Sequence, residues 1–333
     1  MGDVLGSIFS AAFVAAMLRI TTPLLFASLG ALISAQAGVI NIGLEGIMLV
    51  AAFTGATVGA LTQSAGLGLI GGLAAAMLTA LLLAYFHLHL KGDLILGGIA
   101  INILGSAGTV AFAYQLTGAR AGGVTGLRPV RMPDLNFAFL QDIPVLGDVL
   151  HAILGSQNSM TWLAFLAAAG IWFLLYRMAI GKHLRAVGEN LEAAVSVGIS
   201  ARRMQYAALV LSGALAGMGG IHLSMGYLSG FTRDMTAGRG YIALVTPALG
   251  GGTPGGTTAA ALLFGTFAAL EARLGSANIP SQLPQMIPYL ATIGALVVYA
   301  LQRRRTAARR ARRFGSTHRQ GPARPSQAPP SSP

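Results

Sequence analysis

Arg177 to Arg203 reads RMAIGKHLRAVGENLEAAVSVGISARR and lies between two apolar runs, 159–178 and 205–228, each about long enough to cross a bilayer as helix. Within this polar, basic loop, Asn190 is placed to cap a short helix, Leu191 to Val197. Glu192 falls in its first turn, where a carboxylate favours the dipole, and Gly198 ends it. Such a two-turn helix is not stable alone in water, so packing must hold it. Two sources of packing stand open: the rest of the chain, with basic flanks that only set topology, or a groove on a soluble partner.

Outward from the loop the chain is apolar. Of 333 residues, 54% are hydrophobic and 10% charged, with a mean hydropathy of +0.67, which a soluble fold of this length could not bury. Further apolar runs occupy 8–32, 39–61, 66–90, 93–117, 240–273 and 284–302. Their hydrophobicity is continuous rather than alternating, which specifies helices and excludes barrel strands. The run 240–273 is too long for one span and is broken by Gly250-Gly251-Gly252-Thr253-Pro254-Gly255-Gly256. The expected fold is therefore an all-α polytopic bundle.

Charge orients it. The formal net charge of +12 falls to +3 once the nine arginines between Arg303 and Arg324 are set aside. A basic tail after the last apolar run follows the positive-inside rule, and only Phe314 is interleaved for base stacking, which disfavours nucleic-acid recognition. With the loop and this tail both cytoplasmic, the segments between them cross an even number of times, so the glycine break separates two crossings. Eight to nine crossings result. Gly118 to Asn158 falls outside, with three Arg balanced by three Asp, and the N-terminus lies outside if there are nine. The first run reads as a membrane segment rather than a removable signal peptide, and Arg19 with Pro23 could mark a break within it. The expected division is a membrane domain, 1–302, containing the loop 177–204, and a Pro/Ser-rich disordered cytoplasmic tail, 303–333.

Two stretches carry unusual chemistry. Gly38-Val39-Ile40-Asn41-Ile42-Gly43-Leu44-Glu45-Gly46 puts an amide and a carboxylate four residues apart, on one face if helical. A carboxylate in hydrocarbon costs about 2.5–3.5 kcal/mol, so Glu45 must face protein, water or a donor. It either packs by accepting backbone amides or takes part directly in substrate passage. Thr236-Ala237-Gly238-Arg239-Gly240-Tyr241-Ile242 interrupts the other half, and paired broken helices point to a midplane transport site. Asn41, Gly43, Glu45, Gly240 and Tyr241 are the candidate path residues. Asn102 joins them, with an interhelical hydrogen bond as its competing role.

Other signals are weaker. Gly213 and Gly217 predict close helix packing. His87 and His89 point to different helix faces and lack a third ligand, so no metal is expected. No cysteine is present, which removes thiolate chemistry. The glycine cluster before Thr257 lacks the lysine of a phosphate loop, so no nucleotide cofactor is expected and any ATP must be bound by another chain.

Gly188-Glu189-Asn190-Leu191-Glu192-Ala193-Ala194, then Gly198-Ile199, Arg202-Arg203 and Ser212-Gly213-Ala214-Leu215-Ala216-Gly217, resemble the permease subunits of bacterial ABC importers for branched-chain amino acids, simple sugars and nucleosides. Asn41 to Gly46, Gly238 to Leu244 and Ile279-Pro280-Ser281-Gln282-Leu283 are similar to the nucleoside and simple-sugar members in particular. The resemblance spans about Thr21 to Leu301. It implies a multi-pass permease of the bacterial inner membrane, working with a second permease, a cytoplasmic ATPase and an extracytoplasmic binding protein. Gly188, Glu189, Asn190, Glu192, Ala193, Ala194 and Gly198 would form its coupling helix. The alternative is a secondary carrier in which Glu45 titrates with a coupling proton.

Overall fold

The computed structural model describes residues 10–118, 130–137, 151–228 and 230–275, with isolated positions among 286–297. Eight helices carry the framework up to the second break: α1 (Ala11–Gln36), α2 (Leu44–Thr62), α3 (Ala65–Leu88), α4 (Leu94–Thr117), α5 (Ser159–Arg177), α6 (Ala179–Glu189), α7 (Leu191–Ser196) and α8 (Ala201–Ile221). A π-helical turn, His222–Tyr227, extends α8, and α9 (Arg239–Leu249) and α10 (Pro254–Leu274) follow. Strands β1 (Asp134–Asn136) and β2 (Ser156–Asn158) form a small antiparallel ribbon in which Leu135 pairs with Gln157. Among the described residues, six helices are long and apolar enough to cross a membrane: α1 to α5, and α8 with its π turn.

Most helix starts are capped by their own sequence. Ser10, Ser64, Asp93, Asn158, Asn190 and Thr253 each accept a backbone amide two or three residues on, and Pro254 follows the last of these at the first helical position. Helices α2 and α9 begin instead at Gly43 and Gly238, without a local side-chain cap. Their free amides must be satisfied from elsewhere.

The inner layer is α1, α2 and α8, whose most apolar windows are 61%, 72% and 78% buried, against 28–33% for α3, α4 and α5. Gly213 and Gly217 let α8 press onto Ala80 and Ala76 of α3, the close packing that their spacing predicts. The outer helices turn Leu78, Leu82, Ile99 and Phe173 outward, as lipid-facing surfaces do.

Three expectations are revised. α1 runs unbroken through Pro23 for 26 residues. Pro23 leaves the Arg19 carbonyl without its helical donor, and Thr21 to Ser34 are buried all round. Asn41 does not share a helix face with Glu45, because 37–43 is irregular and α2 starts only at Leu44. Residues 179–189, read as loop, form α6. His87 Nδ1 pairs with the Gly92 carbonyl at 2.9 Å, and His89 stacks on Tyr85. Much of Gly118 to Asn158, the motif at Ile279 to Leu283 and the tail 303–333 lie outside the described residues, while Leu290, Ile293, Gly294 and Val297 are helical.

Candidate functional site

The first break, between α1 and α2, is held by amide side chains. Asn41 is fully buried; its Oδ1 accepts the Gly43 amide at 3.1 Å and its Nδ2 donates to Ser212 Oγ on α8 at 3.0 Å. Asn102, on α4, donates to the Ile42 carbonyl at 2.9 Å and accepts the Gly46 amide at 2.8 Å. Gly46 is the third residue of α2, so Asn102 supplies from another helix the cap that Gly43 cannot.

The second break, 228–238, delivers α9 to Glu45. Glu45 Oε1 accepts Thr236 Oγ1 at 2.6 Å and the Gly238 amide at 2.8 Å, and Oε2 accepts the Gly240 amide at 2.6 Å. The carboxylate is only 7% exposed and stands at two helix N-termini, the first turn of its own α2 and the start of α9. Both dipoles and three donors offset the cost of burying it. Gly240 is required here, since a Cβ would lie 2.6 Å from the Glu45 amide nitrogen and from Oε2. Within α9, Pro247 vacates the Ala243 carbonyl, which Thr246 Oγ1 takes up at 2.8 Å.

Asn102 and Tyr241 also line an open groove with a volume of about 730 Å³, together with Ser106, Val110, Tyr114 and Arg233. Asn41, Gly43, Glu45 and Gly240 are not among the residues that line it. Ser106, Tyr114 and Arg233 escaped the sequence reading. The signal was there: Asn102, Ser106, Val110 and Tyr114 recur every four residues, one ridge of α4.

In the loop, Asn190 Oδ1 accepts the Ala193 amide at 3.0 Å, Glu192 occupies the first turn of α7, and Gly198 is left-handed at φ +85°. Ala194 packs with Val187 of α6 and Ala201 of α8 in a satellite core, so the chain itself holds this short helix. Glu189, Ala193 and Gly198 remain exposed. Leu191, Val195 and Val197 turn apolar side chains outward, 47%, 53% and 74% exposed. Gly188 abuts the Gln36 carbonyl and the first break, a Cβ there falling 3.0 Å from the Gly38 amide nitrogen. Gln36 in turn donates to the Gly252 carbonyl at 2.5 Å, tying the turn between α9 and α10 to the same place.

Comparison with known proteins accounts for this layout. Residues 13–296 match the family model described as branched-chain amino acid transport system / permease component. The chain is similar to the nucleoside ABC transporter permease protein NupC of Lactococcus lactis, 33% identical over 86% of this chain and 91% of that protein. It is similar to the guanosine ABC transporter permease protein NupQ of Bacillus subtilis, 34% identical over 85% and 90%. A provisionally named glucose ABC transporter permease protein of Haloferax volcanii, TsgC13, is 33% identical over 81% and 80%. The chain belongs to the family of branched-chain amino acid transport system permease components: it is a multi-pass membrane subunit of an ABC transporter and not itself an enzyme.

Proposed function

We propose that this permease forms half of the path by which an ATP-driven importer brings a small, uncharged polar solute, a nucleoside ahead of a simple sugar, across the bacterial inner membrane. A cytoplasmic ATPase, a second permease and an extracytoplasmic binding protein complete the assembly. The loop 177–204 and the tail 303–333 lie in the cytoplasm and the chain crosses eight to nine times, 240–250 making an unusually short crossing. The similarity to NupC and NupQ over most of the chain supports the substrate class.

The observation that carries the reading is the continuity from α7 to Glu45. Exposed Leu191, Val195 and Val197 offer the ATPase an apolar knob, and the satellite core ties α7 to α6. Gly188 presses on the first break, whose far end is the start of α2. Glu45 at that start grips the Thr236–Gly240 segment, so displacement of the hairpin reaches both broken helices. Commitment of Glu45 to three donors of its own chain favours a structural cap over a proton carrier.

Glu192→Arg and Gly198→Trp test this. Both variants should insert normally, lose uptake and lose the ATPase on co-purification, while the binding protein still holds ligand. Unchanged uptake in both would remove the coupling assignment.

A further inference from the structure

The groove bounded by α4 and 230–238 sets the polar groups of Asn102, Ser106 and Arg233 among the apolar Ile103, Val110 and Ala111. Arg233 lines it, and the exposed Asp234 reaches its edge through Ser106, whose Oγ donates to Asp234 Oδ1 at 2.9 Å, while Arg233 Nε donates to Asp234 Oδ2 at 3.3 Å. Charges so placed belong against water or a polar ligand and not against hydrocarbon. Two aromatic rings flank the same space, Tyr114 toward the end of α4 and Tyr241 in the first turn of α9, both about half exposed at 49% and 50%. Asn102 lines the groove between them, its two polar atoms already serving the backbone of the first break. Small residues Ser106, Ala107 and Ala111 on α4 hollow the wall between the two rings. The volume of about 730 Å³ lies within the ~300–1,000 Å³ usual for small-molecule sites.

We infer that this groove is the half-site that recognises the planar heterocycle of the transported solute, with Tyr114 and Tyr241 as stacking faces and Asp234 and Arg233 as hydrogen-bonding acceptor and donor for the ring edge. The inference rests on the permease reading above and adds its ligand chemistry. Aromatic faces take any base, and a carboxylate beside a guanidinium offers complementary partners to a purine edge that carries both N–H donors and acceptors. A simple sugar has no π face and meets an aromatic ring only through C–H groups, so it gains less from the two tyrosines than a heterocycle does. Nucleosides should therefore occupy the groove ahead of ribose or glucose. Because Glu45 already fills the anion-binding N-terminus of α9, the site has no second helix end to offer a phosphate.

The native chain lacks cysteine, which makes Val110→Cys a clean reporter on the groove wall. In the complete permease–ATPase complex in lipid nanodiscs, this thiol should react with a water-soluble methanethiosulfonate. Guanosine and adenosine should slow the reaction, while equal concentrations of ribose and glucose should not. Tyr241→Leu and Tyr114→Leu should each raise the half-protecting guanosine concentration about tenfold, as loss of one stacking face does, and the Phe variants should restore it. Equal protection by ribose, no protection, or an inert thiol would overturn the inference, with ATP-driven uptake by the same complex keeping the permease reading intact. Absence of ATP-driven uptake in the unmodified complex would sink that reading and the inference together.

Discussion

Two short helices of this chain begin at side-chain caps, and the caps differ in every physical respect. α7 starts in the polar loop, where Asn190 three residues before Ala193 accepts one amide in an exposed setting. α9 starts inside the bundle, where Glu45, 193 and 195 residues away in sequence from the amides it binds, accepts Gly238, Gly240 and the Thr236 hydroxyl. In water an uncapped amide is solvated at small cost, so a neutral local cap suffices. In the membrane interior no water substitutes, so the cap carries charge, several bonds and a binding partner that fixes two halves of the fold together. The buried cap leaves no donor over, whereas the exposed helix keeps Leu191, Val195 and Val197 open for another molecule. One region holds the structure, and the other offers a handle on it.

The sharpest break of this comparison is Glu45→Ala. It strands two backbone amides and a hydroxyl in a buried site, at a cost of about 3–5 kcal/mol. Insertion yield and the detergent melting temperature should fall steeply, with uptake lost. Wild-type behaviour would mean that the two breaks are held by something else. Gly240→Ala comes next: it leaves the carboxylate but drives a Cβ into it, for about 1–3 kcal/mol, read as a lowered melting temperature that Gly255→Ala, with open space around it, does not share. The smallest effect belongs to the exposed cap. Asn190→Ala should cost about 1 kcal/mol locally and leave the melting temperature of the bundle unchanged, while ATPase retention and uptake decline and Asn190→Asp preserves both.

Much of this architecture was legible because membrane burial writes itself into continuous apolar runs. The segment ends read from hydropathy fall within about five residues of α2 to α5, and Gly250 to Thr253, the start of the glycine break, separate α9 from α10. Asn190, Glu192 and Gly198 were placed by capping rules alone, and their geometry follows those rules. α6 was hidden because its inward residues, Gly181, Leu184 and Val187, are few and sit among Lys182, His183 and Arg185. Both unusual stretches around Glu45 and Gly240 stood out, but nothing local says that the carboxylate of one caps the helix of the other. That partnership depends on how α1, α2 and α9 pack. Pro23 suggested a break because proline lacks an amide, yet α1, buried at the centre of the bundle, runs through it whole.

The division of labour between the two caps is tested most directly by thiol labelling at one residue from each region in the cysteine-free chain. Thr236, fully buried on Glu45, and Val195, half exposed on α7, are each replaced by cysteine and exposed to a water-soluble maleimide with and without the ATPase subunit. The account predicts a silent Thr236→Cys in both states, and a Val195→Cys that reacts readily in the permease alone and is shielded once the ATPase binds. A Thr236→Cys that labels as fast as Val195→Cys, or a Val195→Cys indifferent to the ATPase, would contradict it.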